Sequence, residues 1–302
     1  PIKSLIKSTI FEQFCGGESI KDCEKRIQSL ARYNVNTILD YSVEGSSSKE
    51  NFDLTASEII RTIERAKDDE NIPFAVFKTS GLARIELLEK ISTNSTLNEK
   101  EKIEFELLKD RVKLICQKAY DLEVRIFIDA EESWIQNAID DLATSMMRIY
   151  NTEKAIVYNT LQMYRWDRIA FLKQSYADAE NGNYYLGLKI VRGAYMEKER
   201  ERAAELGYSS PIQKDKESCD KDYDLALAYC INHIDKIAIC AGTHNEKSSL
   251  KLIDLMRENN ILKDDNRVYF SQLLGMSDHI SFNLANEGYN VVKYMPYGPV
   301  KL

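Results

Sequence analysis

Alternation limits this chain more than anything else in its sequence. Eight short apolar segments rich in β-branched residues are spaced along it: Asn36–Val43, Pro73–Thr79, Arg125–Ala130, Ala155–Gln162, Leu186–Val191, Ile237–Thr243, Arg267–Leu273 and Asn290–Tyr294. Between most of them lie stretches with helical periodicity and a charged face: Asn51–Asp69, Glu99–Asp121, Ser133–Tyr150, Trp166–Asn181, Asp220–Ile234 and Ser248–Asn259. Gly275–Gly288 supplies a seventh, with Ser277 or Asp278 as its N-cap. Short β-branched runs mark strands, and longer amphipathic runs mark helices. Strands alternating with helices predict a parallel sheet with helices outside, and eight such units predict a closed α/β barrel of the (β/α)8 kind. An open doubly wound sheet competes, but it normally carries a glycine-rich phosphate turn, and neither GxGxxG nor GxxxxGK[ST] occurs. Glu18–Arg32 reads as an extra helix ahead of the first strand, capping the barrel bottom. The 302 residues are read as one domain, an N-terminal helical segment over about residues 1–35 and the barrel over 36–302. After the eighth strand the sequence has only a short Tyr297–Leu302 tail, so the barrel's last helix is expected to be missing from it.

Composition narrows the function. A formal charge of −7 argues against broad nucleic-acid binding, which needs a positive field. No apolar run approaches the roughly 18 residues of a membrane-spanning helix. Six cysteines at 15, 23, 116, 219, 230 and 240 form no CxxC pair, which fits reduced thiols inside a cytoplasmic protein better than a disulfide framework.

In a barrel of this type chemistry sits where the strands end. The ends here carry Asp40 and Glu44; Lys78; Asp129, Glu131 and Glu132; Asn159, Gln162 and Tyr164; Lys189, Arg192 and Tyr195; Thr243, His244 and Asn245; Gln272; and Tyr294 and Tyr297. Six of them have a bland explanation when taken singly. Lys78 could snorkel to solvent. Asp129 could cap a helix, His244 and Arg192 could be structural, and Tyr195 and Tyr294 could be packing residues. Their convergence on one face is what points to an enzyme, because gathering unpaired charges costs several kcal/mol each.

Several chemistries fit that set. Three histidines without HxH or HExxH make a zinc hydrolase a poor match, and no metal site is expected. Asp129 with Glu131 could hold magnesium in a lyase. Lys78 or Lys189 could form a Schiff base. A ligand-binding barrel without turnover is the third reading. The cluster Lys78, Lys189 and Arg192 looks cationic, suited to a ligand with several negative groups, such as a dinucleotide with a substrate carboxylate.

The segments IFIDAEES, NTLQMYR, LGLKIVRGAYMEKER, AGTHNEKS, SQLLGMSDHISFNLANEGYNV and YMPYGPV together resemble the proline dehydrogenase family, in its stand-alone form, related to the proline dehydrogenase domain of proline utilisation A. The resemblance runs from about Phe11 to Val300. It implies a distorted (β/α)8 TIM-like barrel that binds FAD over the strand ends. The implied reaction takes L-proline to pyrroline-5-carboxylate by hydride transfer to flavin N5, with electrons passed to a membrane quinone. By that resemblance Asp129 and Lys189 are catalytic, and Lys189 stands near flavin N5 where arginine is often found. Lys78, Tyr195, Leu274 and Tyr294 bind substrate. Ala130, Gln162, Lys189, Arg192, Gly193, Ala194, Thr243, His244 and Asn245 bind the cofactor. The expected location is a bacterial cytoplasm, with peripheral contact to the inner membrane. The family's last helix carries a tyrosine and an arginine pair that clamp the carboxylate. Since the sequence stops short of them, Lys78 is expected to be the main carboxylate partner and proline binding to be weak.

Overall fold

The computed structural model describes residues 13–41 and 48–299. The Glu44 strand end and the tail beyond Pro299 lie outside the described residues. Among those described, eight parallel strands close in chain order into a barrel. They are β1 (Val35–Tyr41), β2 (Phe74–Lys78), β3 (Arg125–Asp129), β4 (Val157–Gln162), β5 (Leu186–Val191), β6 (Ile237–Gly242), β7 (Val268–Leu273) and β8 (Val291–Tyr297). β8 closes on β1 through a seven-residue register running from Val35 opposite Val291 to Tyr41 opposite Tyr297. This strand outruns the Asn290–Tyr294 expected from sequence. Pro296 reads as a strand stop, since it lacks a backbone donor, but here its carbonyl accepts the Gly16 N–H at 2.8 Å.

Period two sorts the strand residues. Ile38, Phe74, Val76, Phe127, Tyr158, Cys240, Tyr269, Val292 and Tyr294 fill the lumen. At its foot Phe74 stacks on Phe127 at 4.4 Å between ring centroids and meets Tyr269 edge-on at 4.9 Å. The barrel is therefore plugged below, and the carboxyl-terminal end of its lumen is open to a ligand. The alternate residues, such as Leu39, Ile126, Ile128, Leu188, Ile190, Ile239 and Phe270, join helix residues in the larger outer core.

The wall helices are α2 (Lys49–Ala66), α4 (Glu99–Asp121), α5 (Ser133–Tyr150), α6 (Arg168–Gly182), α8 (Lys216–Asn232), α9 (Glu246–Glu258) and α10 (Asp278–Asn286). Ahead of them comes α1 (Ile20–Ala31), started by a capping box in which the Ser19 side chain and Asp22 exchange hydrogen bonds. It does not cap the barrel bottom as the sequence suggested. Cys23, Ile27 and Leu30 form one buried stripe in the outer core with Leu39, Met295 and Tyr297. Glu24 pairs with Arg65 of α2 at 2.6 Å, and Tyr33, just after α1, sets its ring against Phe282 of α10 at 5.4 Å. A helix flanked by α2 and α10 occupies the closing position of the wall, so the barrel is sealed by a helix that precedes its first strand. Among the described residues no helix follows β8.

Two helices were not expected from sequence: α3 (Ile85–Ser92) after β2 and α7 (Met196–Leu206) after β5. Both are short and lie inside βα connections. The charged run of α7 reads as solvated surface, yet Glu199 is fully buried and accepts from the Ser133 N–H and hydroxyl at 2.5 and 2.6 Å. With Lys198 paired to Glu132 and Arg202 over the Trp134 ring at 4.4 Å, α7 is fastened across the start of α5.

Candidate active site

The tips of all eight strands contribute to one cavity of about 770 Å³ at the carboxyl end of the barrel. Asp40, Lys78, Asp129, Gln162, Lys189 and Tyr294 line its barrel side, and Arg192–Tyr195, Lys216 and Thr243–Glu246 line its rim. Asn159, Tyr164 and Tyr297 do not reach it, because their side chains go to Asp140, the Gly193 turn and Glu58 respectively.

At the floor Lys189 donates to Asp129 and to the Tyr294 hydroxyl, while Tyr294 Oη donates to Asp129 Oδ1 at 3.2 Å. The Lys189 ammonium also lies 4.4 Å from the Tyr294 ring centroid and 5.3 Å from that of Phe127. Residues Asp129, Lys189 and Tyr294 are each more than nine-tenths buried. A buried lysine and a buried carboxylate are tolerable only together. Burial, reinforced by the Asp129 charge, holds the Tyr294 phenol well above its ordinary pKa. This arrangement sets aside the helix-cap reading of Asp129: the residue before α5 is Glu132, and its side chain makes no cap bond.

Lys78 sits across a strand pair from Asp129, its Cα partner in the β2–β3 register. Asp40 first, and then Asp129, raise its pKa above the ordinary lysine range against the cost of burial. Tyr195, whose phenol burial pushes up to about 12, stands near enough to couple to Lys78. The cations of the site are thus each matched by a carboxylate. Arg192 gives Nε to Asp220 at 2.6 Å, Nη1 to Thr243 Oγ1 at 2.7 Å and Nη2 to Ser248 Oγ at 2.9 Å, with Tyr223 under its plane at 4.2 Å. The strongly cationic site expected from sequence is therefore corrected. The acids that neutralise it come from β1, β3 and α8, too far away in the chain to be read as partners.

Other expected residues take clear places. Gln162 Nε2 donates to the Glu131 carbonyl at 2.7 Å, and its Oε1 accepts the Ala194 N–H at 3.3 Å. Gly193 has φ +136°, and a Cβ there would come within 2.6 Å of the Tyr164 ring, so the glycine is required by its own turn. Asn245 caps α9, accepting the Lys247 N–H at 3.0 Å. His244 is exposed at the rim, with Nδ1 2.9 Å from Ser277 Oγ. Partial burial of its ring and then the Lys293 charge lower its pKa. Ala130 lines the cavity, but Leu274 does not. The inward phase of β7 is Tyr269, Ser271 and Leu273, so Leu273 faces the cavity and Leu274 turns into the outer core. Sequence reasoning also missed Thr160, Lys216 and Ser271 in the lining. Thr160 and Ser271 share the inward phase of their strands, a signal that was legible.

The cavity has room and an unmet polar group for a large organic ligand. Thr160 Oγ1 is a buried hydroxyl in the cavity wall with no hydrogen-bond partner among the described residues. The volume lies within the usual range for cofactor pockets. The Asp129 and Glu131 carboxylates face different partners, Lys189 and Ser80, which works against a shared magnesium ion. Among the described residues no group of three or more His, Cys, Asp or Glu side chains is placed to hold a metal.

A plugged parallel barrel with a buried ion pair under an open cavity has the layout of a barrel enzyme. The chain belongs to the proline dehydrogenase family, whose model matches residues 23–302. It is 32% identical over 297 residues to the carbapenem antibiotics biosynthesis protein CarD of Pectobacterium carotovorum, covering 98% of this chain and 76% of that one. It is 33% identical over 344 residues to mitochondrial proline dehydrogenase 1 of Dictyostelium discoideum, covering 100% of this chain and 60% of that protein. The solved proline utilization A of Bdellovibrio bacteriovorus superposes with a TM-score of 0.86 at 18% identity, over 97% of this chain and 31% of that chain. At that identity the likeness speaks for the fold alone. The chain thus spans from about three tenths to three quarters of the proteins it matches.

Proposed function

We propose that this chain oxidises L-proline to pyrroline-5-carboxylate with FAD as cofactor. Bound FAD would supply a two-electron acceptor for the hydride that leaves the carbon beside the ring nitrogen, at flavin N5, and a membrane quinone would be the onward acceptor. The observation that carries this reading is the Lys189–Asp129–Tyr294 cluster at the cavity floor with the Lys78 ammonium beside it, in a chain of this family.

Lys78 has the charge and reach to take the substrate carboxylate, and Asp40 and Asp129 keep it protonated at neutral pH. Tyr294 and Tyr195 offer apolar faces to a five-membered ring, restricting which carbon is presented. Lys189 holds a fixed cation where negative charge would develop, and its pairing with Asp129 means no reorganisation is needed when that charge appears. Arg192, locked by three hydrogen bonds, holds the turn of Gly193 and Ala194 against the rim. Gln162 stiffens that turn from below. Contact with the membrane is proposed to be peripheral; among the described residues no helix is long and apolar enough to cross one.

The test is the visible spectrum of the purified protein under anaerobic conditions. A yellow protein bleached by L-proline supports the reading. A protein that stays colourless, refuses added FAD and leaves proline untouched overturns it.

A further inference from the structure

We propose that Glu131 is a positioning residue of this cavity, the group that sets where the Lys78 ammonium stands. The ligand named in the test rests on the proline reading above; the placement of Lys78 does not. Glu131 is 3% exposed and is not part of the cavity lining. Its carboxylate takes both donors of Ser80, the backbone N–H at 2.9 Å and the hydroxyl. Ser80 is the centre of the 3-10 turn Thr79–Gly81 that directly follows Lys78. The Glu131 carbonyl accepts Gln162 Nε2 at 2.7 Å, and Gln162 in turn receives the Ala194 N–H. Its own N–H donates to Gln136 Oε1 at 2.9 Å. Gln136 Nε2 reaches Asp140 Oδ1 at 2.9 Å, and Asp140 is clamped by Arg168 and Asn159, each at 2.8 Å.

One residue therefore ties the tips of β2, β4 and β5 to the buried end of a polar chain on α5. Lysine has a flexible four-carbon stem, so its ammonium is localised only as well as the backbone that carries it. Lys78 ends its strand, and the turn after it is held to the barrel by the Glu131 carboxylate. Burial pushes the Glu131 carboxyl up, countered by the Ser80 bonds. What a carboxyl provides there, against that cost, is direction, because its two oxygens accept both donors of a single residue.

Three variants separate positioning from simple support. Glu131→Gln can keep both contacts, because its Oε1 accepts the Ser80 N–H and its Nε2 donates to Ser80 Oγ. Glu131→Ala keeps neither, and Ser80→Ala loses one. Two readouts are needed: steady-state kinetics with L-proline, and the rate at which acetic anhydride acetylates Lys78, followed by peptide mass spectrometry. Glu131→Ala and Ser80→Ala are expected to raise KM on the order of tenfold with kcat nearly unchanged, and to acetylate Lys78 several-fold faster. Glu131→Gln is expected to stay near wild type in both. A folded Glu131→Ala protein with wild-type KM and labelling overturns the proposal, and so does equal impairment of the Ala and Gln variants. If Glu131→Ala does not fold, Ser80→Ala decides by the same two readouts. A wild type that leaves proline untouched removes the substrate reading, and the Lys78 labelling rates still decide the placement.

Discussion

Asp129 and Lys189 lie 60 residues apart in the chain and share a hydrogen bond within the barrel. The sequence showed each as a charged residue on an apolar strand; only closure made them a pair. Removing one partner of a buried pair strands the other, at a cost of about 3–5 kcal/mol. Lys189→Met is therefore expected to lower the melting temperature and to cut turnover at least a hundredfold. The double variant Lys189→Met/Asp129→Asn is expected to recover much of the stability and none of the turnover. Thermal denaturation beside steady-state rates checks both halves, and a double variant as unstable as the single one would count against the pairing. Gly193 makes a second prediction. Since its Cβ would strike the Tyr164 ring, Gly193→Ala is expected to shift the β5–α7 turn and lower flavin content after gel filtration, while the barrel's far-ultraviolet circular dichroism stays unchanged. Equal flavin retention would show that the turn tolerates the change.

Among the elements, the strands were legible to within a few residues because period two and β-branched composition carry their signal. The two short helices inside βα connections, α3 and α7, were not. Four of the eleven residues of α7 are glutamate, and its buried face consists of Glu199 and Ala203, so nothing in its pattern announces a core. Its fastening to Ser133 is a tertiary fact. The foot of the barrel holds a similar case. Asn151 follows α5, is fully buried, and accepts the Ile156 and Val157 N–H groups at 2.9 and 2.8 Å. It also donates to the Val157 and Tyr185 carbonyls at 2.8 and 2.9 Å, stapling α5 to β4 and β5. Asn151→Ala leaves these groups unsatisfied and is expected to cost about 3 kcal/mol in urea unfolding, with KM for proline unchanged. The closing helix α1 is tested by Ile27→Ala. Its side chain is 2% exposed, so a loss of about 2–4 kcal/mol is expected if α1 belongs to the barrel wall. A loss well under 1 kcal/mol would show that it does not.

For the whole molecule, the free thiols make a pH prediction. Burial pushes Cys23 and Cys240 up to about 12, and raises Cys116 and Cys230 as well. Unfolding exposes these thiols, which then ionise near their ordinary value, while the fold keeps them protonated. The unfolded state thus binds fewer protons above about pH 9, and stability must fall as pH rises toward 12. Each thiol contributes about 1.4 kcal/mol per pH unit within that window. Denaturant midpoints between pH 7.5 and 10.5 should be flat at first and then decline steeply. Replacing Cys240 by alanine should make the decline shallower, whatever it does at pH 7.5; an unaltered slope would refute the linkage.

Alternation, and with it the strand count and most of the wall helices, could be read straight along the chain, because hydrophobic periodicity is a local property. So could the residues at strand ends, since phase along a strand is counted from neighbours. Motif likeness carried the family. Pairing had to wait for the folded barrel. The partners of Lys78, Lys189 and Arg192, the hub at Glu131, the turning of Leu273 rather than Leu274 to the cavity, and the use of α1 to seal the wall all depend on contacts between distant segments. Electrostatic neutralisation and packing act through space, and a linear pattern holds no record of which strand tip a charge will meet.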